Sequence, residues 1–385
     1  MDHRVFITLL FVLSGTANVI LIKWMSIQMV EGSDRKKHSF QHPVAMTLLM
    51  FLAEFLCFGV YKLISAVISR RGVRLHQLSR AGSYLTRGSN EFHPLVMLLP
   101  AFLRTITSIL LFTGLYLTYA TSFQMIRGVS LIFVGLFSTM YLNQTLSSRH
   151  WLAIFTMTCG IIDILALDVQ RVDYDYTTLH HKDHNTILTG DLLVIIAEIL
   201  HAFLYVYEEK HLKAADLKPI QASGWQGFFG IIITALAAVC LNFVPSAVPF
   251  NEGSRGVFDD LTDIIPQLRS NTMLILAIIG FACSCAIYNC VGMSIAKFSS
   301  SGNRLLADGI RVYFIWAFVI FAEWEIFNLI TILGLLILQT GIVMYRQAIF
   351  LEWYRSTLAR WQRIRYMDMN ADAVPTPSSQ PADVI

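Results

Sequence analysis

The sequence predicts an all-α membrane protein of ten transmembrane helices, arranged as two inverted five-helix repeats. Three observations lead there. Hydrophobic residues are 55% of the 385 and charged residues only 14%, too little polar surface to cover a soluble chain of this length. The charges gather between long apolar runs, each near the roughly 20 residues that cross a hydrocarbon core. The runs number ten, and two sets of five, an odd number, must insert with opposite topology.

The runs lie near 5–28, 44–68, 94–118, 121–143, 150–168, 190–210, 219–244, 272–296, 303–323 and 326–350. The first follows Met1-Asp2-His3-Arg4 directly. It is too long for a signal-peptide core and lacks a small-residue cleavage site, so it reads as a spanning helix. Residues 30–43, 69–93, 169–189 and 245–271 read as the longer loops. The boundaries that follow are a first repeat over 1–168, a lumenal loop over 169–189, a second repeat over 190–350 and a partly disordered tail over 351–385, whose Val374-Pro375-Thr376-Pro377 run has a linker composition. With the N-terminus cytosolic, sixteen Lys and Arg fall on the cytosolic side and seven opposite, which favours both termini in the cytosol. The sequon Asn143-Gln144-Thr145 then faces the cytosol. An ungapped offset of 181 residues aligns Gly128 with Gly309, Phe133 with Phe314 and Gly160 with Gly341, and sets Arg127 on Asp308, as an old duplication would.

Charge inside a bilayer is costly and calls for a reason. In the ninth run, Arg304, Asp308 and Arg311 share one helical face, either as a cationic spot for an anionic solute or as an ion-pair stripe between packed helices. In the fourth, Gln124 and Arg127 lie one turn apart beside Gly128, and the repeat alignment brings Arg127 towards Asp308. In the sixth, Glu198, His201 and Tyr205 share a face on which a proton could be relayed, or on which the histidine simply bonds between helices. Arg104 in the third run completes the candidate substrate-binding set of Gln124, Arg127, Arg304, Asp308, Arg311, Glu198, His201 and Arg104. Glu208 and Glu209 read as interfacial anchors with an inward Glu208 as the alternative, Lys23 as a snorkelling side chain, and Glu54 and Asp163 as deep carboxylates without an evident partner.

No Gly-Lys-Ser/Thr phosphate loop, catalytic triad or metal-ligand spacing is present, so no cofactor is expected, and transport would draw on a gradient or exchange. All six cysteines fall in apolar runs as small packing residues. His180, His181 and His184 read as a solvated loop in preference to a metal site. The net charge of +3 excludes a nucleic-acid role.

Residues 1–350 resemble the drug/metabolite transporter superfamily, and within it the nucleotide-sugar-transporter-like solute carrier family 35, subfamily F. The resemblance is carried by His38-Ser39-Phe40-Gln41-His42-Pro43, by Ser122 to Gly128 with Phe133 and Gly135-Leu136-Phe137-Ser138, by Thr189-Gly190-Asp191-Leu192-Leu193, by Glu208-Glu209-Lys210, and by Asp308 with Arg311 and Trp316. It implies ten helices in inverted repeats around a central cavity, alternating access and an endomembrane setting, with the lysosome favoured and the Golgi or mitochondrion as alternatives. The chain departs from the family pattern at Arg104 (usually an acid), Glu198 (Gln), Gln226 (Glu) and Asn303 (Thr). Two expectations follow. Arg104 and Glu198 would pair across the cavity. Arg127, Arg304 and Arg311, with Asp308 neutralising only one of them, would attract an anionic metabolite such as a nucleotide sugar. The alternatives are a carrier of cationic amines or drugs and a non-transporting scaffold. Tyr366-Met367-Asp368-Met369 fits a tyrosine-based sorting signal for an adaptor, and a homodimer is the other partner considered.

Overall fold

The computed structural model describes residues 3–69, 85–89, 93–143, 145–171, 183–247, 249–250, 255–325 and 327–345. The chain is mostly helical: α1 His3–Ser26, α2 Pro43–Ser69, α3 Leu98–Leu117 behind a 3-10 turn at Pro94–Met97, α4 Ala120–Ile126, α5 Val129–Tyr141, α6 Ser148–Arg171, α7 His184–Ala214, α8 Pro219–Leu241, α9 Leu261–Ser270, α10 Thr272–Phe298, α11 Ser301–Phe321 and α12 Leu329–Tyr345. Much of the surface is apolar, and the interior holds many polar and charged side chains beside its apolar core. Leu63, Phe155 and Leu236 are each about two-thirds exposed, whereas Glu54, Glu198 and Arg304 are fully buried. That inversion suits a hydrocarbon solvent.

Eight helical segments among the described residues are long and apolar enough to cross a membrane. Two expected spans fall outside that description for identifiable reasons. Helix α11 has the length but carries Arg304, Asp308 and Arg311, and α12 is a shorter apolar helix over its described residues. The fourth run is one span made of α4 and α5. At Arg127 and Gly128 the backbone tightens to i→i+3 bonds, from Gly128 N to Met125 O (2.9 Å) and from Leu131 N to Gly128 O (3.1 Å).

The sequence leads us to expect a purely α fold, and the structure departs from that. Residues read as loop form an antiparallel hairpin, β1 Met29–Glu31 on β2 Lys37–Ser39, with Val30 opposite His38. Gly32 and Arg35 close it, Arg35 in the left-handed region at φ 61. The short, polar segment has no helical period, and Asp34 accepts from the Lys36 amide instead. Part of the expected 245–271 loop is likewise α9, amphipathic and capped by Asp260, whose carboxylate accepts from the Thr262 amide at 3.0 Å. Helices α6 and α7 run past the expected ends at 168 and 190, so the loop between them is shorter than the sequence indicated.

Glycines set the closest crossings. Cβ atoms added at Gly114 and Gly190 would strike the opposing backbone where α3 crosses α7, and at Gly227 where α8 crosses α2. Helix α1 packs on α10 and α11, α7 packs on α3 and α5, α2 on α8, and α4 and α5 on α11. Lys23 does not snorkel. It caps the end of α3, donating to the carbonyls of Leu115 (2.9 Å) and Thr118 (2.5 Å), because those terminal carbonyls have no helical donor of their own. The tail with Tyr366 to Met369, and His180 and His181, lie outside the described residues.

Candidate functional site

The eight residues singled out in the sequence converge on one buried network in two tiers. In the first, the broken span of α4 and α5 brings Arg127 inward. Its Nε donates to Glu198 Oε1 at 2.7 Å, and its Nη2 lies 3.7 Å from Asp308 Oδ2. Arg311, one turn along from Asp308 on α11, donates from Nη2 to Asp308 Oδ2 (2.8 Å) and to Gln124 Oε1 (3.2 Å). Tyr288 donates to the other oxygen, Asp308 Oδ1, at 2.8 Å. His201 Nδ1 is 3.5 Å from Glu198 Oε2, one helical turn away, and its ring lies against Tyr205.

In the second tier, Glu208 is the hub. It accepts from Arg304 Nη1 at 3.0 Å and from Gln226 Nε2 at 3.1 Å, and it stands 3.7 Å from Arg104 Nη1. Arg104 donates to Gln226 Oε1 (3.2 Å) and to Asn289 Oδ1, and Asn289 in turn donates to Glu54 Oε1. Arg304 stacks on Tyr205 with its guanidinium carbon 4.1 Å from the ring centroid. Room for the arginines comes from glycine: a Cβ at Gly292 would lie 2.7 Å from Arg304 Nε, and Gly15 makes the same allowance for Arg311.

Three expectations are corrected here. Arg104 and Glu198 do not pair; they belong to different tiers, and each already has another partner. Nor is Asp308 alone in balancing the arginines. Glu198, Glu208, Asp308 and Glu54 stand against Arg104, Arg127, Arg304 and Arg311, four carboxylates to four guanidiniums. Glu208 is inward and buried, not an interfacial anchor, and Glu209 is buried too, holding the start of α11 through the Ser301 amide at 2.6 Å. Sequence reasoning named Arg104, Arg304, Glu54 and Glu208 but missed that they form one tier, because the carboxamides of Gln226 and Asn289 link them across helices. The member it overlooked was Asn289, the only carboxamide within the apolar helix α10.

A cavity opens beside the first tier, lined by Asn18, Ser108, Phe123, His201 and Cys285 together with Arg104, Arg127, Tyr288, Asn289 and Arg311. It is small, about 70 Å³. At the end of α10, Lys297 ties three segments together: its ammonium donates to the Arg87 and Leu217 carbonyls, each at 2.7 Å, and pairs with Asp216 at 2.8 Å. Among the described residues, no group of three His, Cys, Asp or Glu side chains could hold a metal ion.

The family model for nucleotide-sugar transporters matches residues 5–266. The chain belongs to the nucleotide-sugar transporter family. Within this family it is similar to solute carrier family 35 member F6 of Mus musculus, 33% identical over 346 residues that cover 89% of this chain and 88% of the mouse protein, and to its Homo sapiens counterpart at 32% with the same coverage. An uncharacterized protein of Schizosaccharomyces pombe is 26% identical over 67% of this chain and 75% of its own length. A solved crystal structure superposes with a TM-score of 0.51 at 14% identity, covering 90% of this chain and 98% of the other, which speaks to the fold alone. As a member of the nucleotide-sugar transporter family, the chain is a multi-pass membrane transporter of a small solute and not an enzyme.

Proposed function

We propose that this transporter moves an anionic metabolite by alternating access, with Gln124, Arg127, Arg304, Asp308, Arg311, Glu198, His201 and Arg104 forming the substrate site. The observation that carries this reading is unspent donor capacity. Arg311 Nε and Arg304 Nε and Nη2 are buried without a hydrogen-bond partner among the described residues. A buried donor left unmade costs about 1–3 kcal/mol, more when charged. A phosphate or carboxylate accepting from a guanidinium edge would relieve that penalty through bidentate contact. While all four carboxylates are ionised the network is balanced in charge, and the attraction is then directional more than net.

The neighbour pattern supports two inverted repeats of five spans, over 1–168 and 190–350. Exchanging the first span for the sixth and the third for the eighth turns the α1–α10 contact into the α7–α3 contact, and the α2–α8 contact maps onto itself. The cavity's size supports alternation. Sites that enclose drug-sized ligands occupy about 300–1,000 Å³, so a nucleotide sugar requires a more open state than this one. An endomembrane setting accords with the family, and the lysosome is the compartment proposed.

Thermal unfolding of the purified protein tests the reading, since a ligand that binds only the folded state stabilises it. Uridine monophosphate or a uridine diphosphate sugar should raise the melting temperature, and Arg311→Gln should abolish the rise. Stabilisation by amines alone, untouched by that substitution, would replace the anion reading with a cation carrier. Stabilisation by neither class would favour the scaffold.

A further inference from the structure

The carboxylate least accounted for by the ion-pair network is Glu54. It lies midway along α2, fully buried. Its Oε1 accepts from Asn289, while Oε2 has no hydrogen-bond partner among the described residues. No guanidinium reaches it. Arg104, which acts on it through space, donates to Asn289 Oδ1 and Gln226 Oε1 instead. The other ionisable groups that act on it are Glu208 on α7, Arg304 on α11 and the thiols Cys285 and Cys290 on α10. An ionised carboxylate with one bare oxygen in a dry interior is a costly state, and taking up a proton removes the cost.

The wiring links that proton to the cavity. Arg104 and Asn289 line the cavity and Glu54 stands directly behind them. With Glu54 ionised, the four carboxylates equal the four guanidiniums. With Glu54 protonated and His201 uncharged, the network carries one excess positive charge, centred on Arg104. Resting on the anion reading above, we infer that Glu54 is the proton-binding site of this transporter: its protonation readies the cavity for an anion, and its ionisation disfavours that anion, so the two are carried in the same direction. Asp163 also has a buried oxygen without a partner, but it lies against Gly334, away from the cavity and the arginines, and has no such role.

Two measurements on the full-length protein test this. Infrared difference spectra across a pH titration should show a protonated-carboxyl band that Glu54→Gln removes and Asp163→Asn leaves. Uridine monophosphate affinity should fall as pH rises, approaching tenfold per pH unit once the carboxyl is ionised, as binding linked to one proton requires. Glu54→Gln should bind the probe with nearly pH-independent affinity, while Glu54→Asp should keep the dependence with a displaced midpoint. If Glu54→Gln folds poorly, the wild-type spectrum and Glu54→Asp still decide. A pH dependence unchanged in Glu54→Gln, or a carboxyl band that survives the substitution, overturns the assignment. Failure of every anionic probe to bind at any pH, with the Glu54 band intact, overturns the anion reading and its coupling while leaving a titrating carboxyl, so the two failures are distinguishable.

Discussion

Glu208 shows how much one side chain can hold in this interior. It faces Arg304, Arg104 and Gln226 at once. Removing one member of a buried pair strands the other, typically at about 3–5 kcal/mol. Glu208→Gln should therefore lower the melting temperature markedly, whereas the exposed Glu323→Gln should leave it nearly unchanged. The same logic identifies the true exchange partner of Glu198. Arg127→Glu combined with Glu198→Arg should be milder than either reversal alone, and the corresponding double reversal of Arg104 and Glu198 should show no such rescue. Yields of monodisperse protein for the two cycles would reveal the difference. The sequence made the members of the first tier legible because i, i+3 and i, i+4 spacing on one helix is a local signal. It gave few of the pairings: Arg311 with Asp308 is local, and the repeat alignment brought Arg127 to Asp308. The pairs Arg127–Glu198 and Arg304–Glu208 join residues far apart in the chain, and the Arg104–Glu198 inference failed because two departures from a family pattern say nothing about distance.

Among the elements, α9 and the described residues just before it were the least readable. His42, just before α2, is buried between Asp259 and Gln267, with Nδ1 2.7 Å from Asp259 Oδ1 and Nε2 3.0 Å from Gln267 Oε1. Asp259 also accepts from the Val44 amide at 2.9 Å, so it caps α2. Burial pulls the imidazole pKa down, but the bond to Asp259 and the charges of Asp259 and Asp263 outweigh it, leaving His42 above its ordinary value. A group whose folded pKa exceeds its unfolded value stabilises fully below the unfolded pKa, and that contribution is lost as pH rises through the folded one. The clasp should therefore be strongest below the ordinary histidine pKa and weaken as pH rises through the raised one. Melting curves across pH should show this decline, and His42→Gln should flatten it. An unflattened decline would exclude His42 as its source. The helices themselves were readable because their apolar runs are long. The hairpin and α9 were not, because a three-residue strand or a ten-residue amphipathic helix carries too few periods to stand out from a polar loop.

For the whole molecule, we propose that both termini are cytosolic, on the sixteen-to-seven distribution of Lys and Arg. Tags before residue 1 and after residue 385 should both be reached by antibody once only the plasma membrane is permeabilised, and protection of either would break the even number of crossings. The interior also constrains how the chain is made. Arg127 finds Glu198 71 positions later, and Arg304 finds Glu208 96 positions before it. Arg104 and Arg127 thus leave the ribosome well ahead of the carboxylates on α7. In the interval each is a lone cation on a helix that should enter lipid, at about 2.5–3.5 kcal/mol by insertion scales. The apolar residues of these spans can offset that cost, but insertion is less favourable until α7 emerges and supplies the partners. Chains halted before α7 should be recognised as unfinished and degraded, and chains extended through α7 should be the first to survive.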